Sequence, residues 1–252
     1  MNEQDLYQLL EDKYDQYNRK RFIETDPISV PHLFSKKEDI EIAGFFAATL
    51  AWGQRSTIIK NTKKLMQYMD MTPYDFILNH SKPELKPFQK FVHRTFNAQD
   101  TLFFIHSLKN IYTHHKGLEN AFSLTNGSIP EKINHFRNLF LIKKLESRTA
   151  KHISNPLIGS AAKRINMYLR WMVRNDKRGV DFGLWKKIKP SELFCPLDVH
   201  SGRVARKLGL LHTKQNNWKA VEELTLKLKT FHPNDPIRYD FALFGLGAFE
   251  NF

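Results

Sequence analysis

The sequence predicts an all-α protein built as two helical lobes with a cleft between them, and three observations carry that expectation. Apolar residues recur at helical spacing through most of the chain. Gly and Pro number only 11 each in 252 residues, below ordinary usage for both. Alternating runs bounded by turn clusters, the mark of strands, are scarce. The first helix is expected over 5–21, where Leu6, Leu9, Leu10 and Tyr14 share one face and charges fill the other. Ser35 reads as an N-cap with Glu38 and Asp39 in the first turn of a helix that continues through IEIAGFFAATLAW. That run is apolar nearly all round, which predicts a buried central helix. Further helices are expected at 55–69, 72–79, 98–115, 129–147, 160–174, 198–208, 217–230 and 236–248, with Pro236 opening the last. The stretches 80–97 and 175–196 read as irregular. The expected lobes are 36–150 and 151–252, with the N-terminal segment 1–35 packing on the second, and the whole chain 1–252 forming one functional unit.

Composition narrows the function. A 41% apolar content with 20 Phe supplies a core, and no apolar run approaches a membrane span. The first 21 residues lack the apolar stretch of a secretory signal, so a cytoplasmic, nucleoid-associated protein is expected. The single cysteine, Cys195, excludes an internal disulfide, a four-cysteine zinc site and an iron–sulfur cluster; no metal and no cofactor is expected. The 39 Lys and Arg against 26 Asp and Glu leave a net charge of +13, which points to an acidic partner. Familiar strings carry little: DFG at 181–183 lacks the other parts of a kinase, GLG at 245–247 lacks a preceding strand, and His114 and His115 are adjacent and point apart on a helix.

Two segments differ. In NPLIGSAAKRINMYLRW, Gly159 and Ser160 open a helix with an apolar stripe at Ala161, Ile165, Tyr168, Leu169 and Met172. Lys163 lies off that stripe and shares a face with Arg170 and Arg174. Like charge and burial would both favour a neutral, nucleophilic amine; a solvated basic face is the alternative. In CPLDVHSGRVARKLGLL, Asp198 is a natural N-cap. Its carboxylate would stay ionised against the positive helix end, the state needed to stabilise a developing cation, although capping alone also accounts for it.

The order GSAAKR, helix, PLDVHSGRVARKLGL resembles the helix-hairpin-helix DNA glycosylase superfamily, the group containing endonuclease III, the adenine mismatch glycosylase and the 8-oxoguanine glycosylases. In that family a hairpin of type LPGVGxKTA ends in a catalytic lysine, and a V-D-x-H-x-x-R-V segment supplies a catalytic aspartate. Lys163 matches the first; Asp198, His200, Arg203 and Val204 match the second in register. FFAATLAWGQRST resembles the family's LLSAQTTD segment and puts Gln54 where a side chain wedges into the base stack. DFALFGLG resembles the helix that lines the base pocket. The hairpin has one glycine where the family has two, and the 35-residue spacing from Lys163 to Asp198 is nearest that of the archaeal 8-oxoguanine branch. The likeness spans about 38–249.

The resemblance implies a helix-hairpin-helix motif and a monomeric base-excision glycosylase on double-stranded DNA, bifunctional as an abasic-site lyase and acting on a flipped base such as an oxidised purine. Lys163 and Asp198 would be catalytic. Gln54, Gly159, Ser160, Arg170, Arg174, His200 and Arg203 would bind DNA, and Trp52, Phe241 and Phe244 would line the base pocket. The alternative is a non-catalytic DNA- or RNA-binding protein of the same fold.

Overall fold

The computed structural model describes residues 2–141 and 147–252. Among these residues the chain is mostly helical, with one short two-stranded hairpin. In chain order the helices are α1 (Glu3–Tyr17), α2 (Lys37–Thr49), α3 (Arg55–Tyr68), α4 (Pro73–Asn79), α5 (Ala98–His115), α6 (Leu118–Ser123), α7 (Ile129–Phe140), α8 (Ser147–Ala150), α9 (Lys163–Val173), α10 (Val199–Lys207), α11 (Trp218–Phe231) and α12 (Asp240–Phe249). Helices α3, α4, α5, α10 and α11 fall close to their expected bounds. The helix expected over 129–147 is seen through Phe140, and residues 142–146 of it lie outside the described residues.

Two compact units divide the chain. The first comprises Met1–Phe22, Ser128–Pro130 and Asn155–Phe252; the second comprises Ile23–Gly127 and Glu131–Ser154. Residues 23–35, expected to pack with 1–22 on the lobe 151–252, cluster instead with the second unit. The cause is local: 3-10 turns at Pro27–Ser29 and Pro31–Leu33 pack on α2, and Ile28 and Val30 are fully buried.

In the second unit, α2 is buried from Ile40 to Thr49, as its apolar composition predicts. Its helix start differs from expectation, because Lys36 rather than Ser35 occupies the cap position and no side chain caps it. Phe45 meets Phe104, Phe136 and Phe140 at ring separations of 5.7, 5.6 and 5.3 Å. Each such buried ring is worth about 1.5–3 kcal/mol relative to exposure. Glu41 is tolerated inside because the Tyr112 hydroxyl donates to it at 2.7 Å. The stretch 80–97 is not wholly irregular: a 3-10 turn, Pro83–Lys90, leads into β1 (Val92–His93) paired antiparallel with β2 (Phe96–Asn97). An Asn97–Asp100 capping box then starts α5.

In the first unit, α1 packs on α12, and α12 packs on α10. The approach is close enough that a Cβ on Gly247 would lie 3.0 Å from the His200 carbonyl oxygen. Helix α9 is buried on every side from Ile165 to Val173. The sequence predicts one apolar stripe there, and the difference lies in 175–196. That segment runs against α9, with Phe182 N–H donating to the Trp171 carbonyl at 2.8 Å and Trp185 N–H to the Met172 carbonyl at 2.9 Å. Trp185 is itself buried, edge-on to Tyr168 at 5.5 Å.

Candidate active site

The approach to α9 is a turn that the sequence dictates residue by residue. The Asn155 side chain accepts from Leu157 N–H at 3.0 Å and opens a 3-10 turn, Pro156–Ile158. Gly159 follows at φ +92°, a left-handed conformation that costs glycine little. Ser160 pairs as an antiparallel bridge with Asn217, and Trp218 N–H donates to the Gly159 carbonyl at 3.0 Å. Ser160 Oγ accepts from Ala162 N–H at 3.2 Å, and α9 then begins at Lys163. Leu157 and Ile158 stand 54% and 81% exposed at the tip of this turn, an unusual outlay of apolar surface for a connecting loop.

Asp198 caps α10. Its Oδ1 accepts from His200 N–H at 2.8 Å, from Ser201 N–H at 2.9 Å and from the Ser201 hydroxyl at 3.2 Å. The Asn216 amide donates to the Asp198 carbonyl at 2.9 Å. One carboxylate oxygen is thereby held, and the other, Oδ2, faces Lys163 Nζ at 3.7 Å. Both side chains are about a quarter exposed, 26% and 23%. Two residues 35 apart in sequence, each at the first turn or cap of its own helix, thus meet as an accessible lysine–carboxylate pair.

Arg170 and Arg174 do not form an exposed basic face with Lys163. Both are buried in a network of carboxylates. Arg170 pairs with Asp181 and with Asp240; Arg174 pairs with Asp176, Asp181 and Asp235 at 2.8–2.9 Å and donates to the Tyr14 hydroxyl at 3.0 Å. A buried guanidinium is tolerable only with such partners, and these partners leave neither arginine for DNA. Phe241 is likewise fully buried, under the Arg170 guanidinium at 4.3 Å and edge-on to Phe22 at 5.2 Å, so it is core rather than pocket wall. Phe244 is half-buried beside Phe22 and Phe249. His200 is exposed next to the pair, and Arg203, exposed on α10, donates to the Gly247 carbonyl at 3.0 Å.

The remaining sequence-selected residues belong to the second unit. Gln54 is exposed at the start of α3 and makes no cap bond. Trp52 is half-buried, with the Arg94 guanidinium 4.6 Å over its ring.

Asp240, which sequence reasoning passed over, is 5% exposed at the first turn of α12. Burial, opposed by Arg170, pushes its carboxyl up to about 6; the Asp198 charge adds to the rise and the Lys163 charge opposes it. The available signal was an acid placed directly before the uncharged run FALFGLGAF. Among the described residues no group of three His, Cys, Asp or Glu side chains is arranged to hold a metal ion, and no helix is long and apolar enough to cross a membrane.

No curated protein and no solved structure matches the chain. One family model does, over residues 26–249, a span that takes in Gln54, the Gly159 turn, Lys163, Asp198 and Asp240 alike. By that match the chain belongs to the DUF2400 family, described as a protein of unknown function.

Proposed function

We propose that this protein is a DNA base-excision glycosylase with abasic-site lyase activity, acting on a flipped damaged base such as an oxidised purine. The observation that carries the reading is the Lys163–Asp198 pair: an accessible amine 3.7 Å from a carboxylate whose other oxygen is fixed by three donors. The turn at Gly159, the helix it opens and the capped α10 follow the order of the helix-hairpin-helix resemblance, which supports the same assignment.

A base within a duplex is out of reach, so the nucleotide must be extruded, most cheaply at a damaged pair. Asp198, anionic and held by the α10 N-terminus, stabilises the cationic sugar as the bond from C1′ to the base stretches. The bond from C1′ to the base breaks, and the base leaves with the bonding electrons. Asp198 then passes a proton from the Lys163 ammonium to the departing base, and the neutral amine bonds to C1′. Collapse to a Schiff base between Lys163 and the sugar permits β-elimination at the 3′ phosphate. His200, exposed beside the pair, would meet the strand that carries the flipped nucleotide, whereas the Gly159 and Ser160 N–H groups donate within the turn, to the Pro156 and Asn155 carbonyls at 2.9 and 3.3 Å.

Borohydride reduction tests the reading. Incubated with duplexes carrying an oxidised purine or an abasic site, the protein should yield a covalent adduct, lost in Lys163→Gln. Salt-dependent DNA binding without any adduct would replace this reading with that of a non-catalytic binder.

A further inference from the structure

The second unit carries 18 Lys and Arg against 12 Asp and Glu. That excess is not spread over it. Between Glu41 and Asp70, and again between Glu84 and Asp100, the sequence contains no acid. These stretches hold seven cations, which leaves the rest of the unit with 11 basic residues against 12 acidic ones. The fold brings the two stretches together: Tyr68 of α3 meets Phe88 edge-on at 5.4 Å, and the Asn61 amide bonds the His93 ring at 2.9 Å.

Helix α3 buries Ile58, Thr62, Leu65 and Met66. Its opposite face presents Ser56, Lys60, Lys63, Lys64 and Gln67 to solvent, at the spacing of one helical surface. Lys60, Lys63 and Lys64 make no ion pair among the described residues. Their contrast with Arg170 and Arg174, each matched to carboxylates, is sharp. Lys86 and Lys90 are exposed on the adjoining turn, and Arg94 lies over Trp52 at the tip of the hairpin. Unpaired like charges one turn apart repel and weaken a helix slightly, so their concentration here carries a folding cost that a bound polyanion would remove.

We infer that the α3 face, with Lys60, Lys63 and Lys64 at its centre, is a second contact surface that grips the phosphate backbone of duplex DNA independently of the Lys163–Asp198 pair. The inference rests on duplex DNA being the substrate. Phosphate contacts position a protein without reading sequence, which suits an enzyme that must scan for rare lesions.

The test uses the full chain. Binding to an undamaged duplex is measured from 50 to 200 mM salt for wild type, for Lys60→Gln/Lys63→Gln/Lys64→Gln, and for a control triple, Lys109→Gln/Lys116→Gln/Lys151→Gln. Each lost phosphate contact lowers the log–log slope by about 0.9, so the α3 triple should lose about 2.7 in slope. Its affinity then weakens about 40-fold less than wild type across that range. The control triple should shift by less than one contact, and the Lys→Arg version of the α3 triple should keep the wild-type slope. Equal losses in the α3 and control triples would overturn the surface, as would an α3 loss seen only with anionic phospholipid vesicles and not with DNA. Because binding is read without chemistry, a wild type that fails borohydride trapping yet shows the α3 loss would refute the lyase and leave the surface standing.

Discussion

Asp198→Asn separates the two jobs that geometry gives one carboxylate. Asn is as good an N-cap as Asp, so the bonds from His200 N–H and Ser201 N–H survive the change and stability should move by less than about 0.5 kcal/mol. The charge facing Lys163 does not survive. At 3.7 Å a unit charge pair is worth about 1 kcal/mol in water and about 4 kcal/mol at the effective dielectric of a protein surface. The quarter-exposed side chains lie between those limits, so the rate of adduct formation should fall roughly 10- to 1,000-fold. Asp198→Ala should instead lose both, with about 1 kcal/mol of stability gone, a fall of about 2–4 °C in Tm for a chain of this size. Single-turnover borohydride trapping gives the rate and a thermal melt gives the stability. The reasoning is refuted if Asp198→Asn traps at the wild-type rate, or if its activity falls only in step with its melting temperature.

Other outcomes follow from the same geometry. Lys163→Gln should abolish the adduct while changing stability by less than about 1 kcal/mol in denaturant titration, because its ion pair is partly exposed. Arg174→Met should cost about 3–5 kcal/mol by the same titration, since it strands Asp176, Asp181 and Asp235, and Arg174→Lys should not restore it because an ammonium lacks the planar fork. For Asp240 the folded carboxyl is raised from an ordinary 3.8 to about 6, so the folded chain holds a proton that the unfolded chain releases in that window. Its contribution is therefore full below about pH 4 and is lost as pH rises through 6, about 3 kcal/mol in all. Asp240→Asn, neutral throughout, should flatten the stability–pH curve between those values, and an unchanged slope would remove Asp240 from that role.

What the sequence made legible was whatever depends on neighbours close along the chain. The buried run of α2, the cap at Asp198 and the bounds of α5 and α10 all follow from residues within one or two turns of each other. The Lys163–Asp198 pair was legible only through motif order, since spacing alone fits a solvated lysine and a plain cap equally well. Arg170 and Arg174 were misplaced because a helical projection assigns charges to the solvent face. Their partners arrive from Asp181 in the following segment, from Asp235 and Asp240 some 60–70 residues on, and from Tyr14 about 160 residues back. Phe241 fell with them, its ring occupied by those same guanidiniums. Asp181 entered the sequence reading only through a DFG string that carries no kinase context, and nothing in that string names its partners on α9.

The buried network also alters what the positive charge means at the candidate site. Two guanidiniums face four carboxylates, Asp176, Asp181, Asp235 and Asp240, so the interior behind Lys163 is short of positive charge rather than rich in it. Asp240 retains a proton up to about pH 6 because burial disfavours its charge and Asp198 adds to the rise, against the pull of Arg170. In the proposed mechanism Arg170 and Arg174, the helical neighbours of Lys163, are bound up with carboxylates and take no part in removing its proton. The proton must be taken by a specific acceptor, and Asp198 Oδ2, the carboxylate oxygen turned toward the amine, is the one in place. Arg170 and Arg174 of α9 are matched to carboxylates while Lys60, Lys63 and Lys64 of α3 stand exposed, so under the proposed function the charge that recruits DNA and the charges that shape the reacting pair are held by different helices.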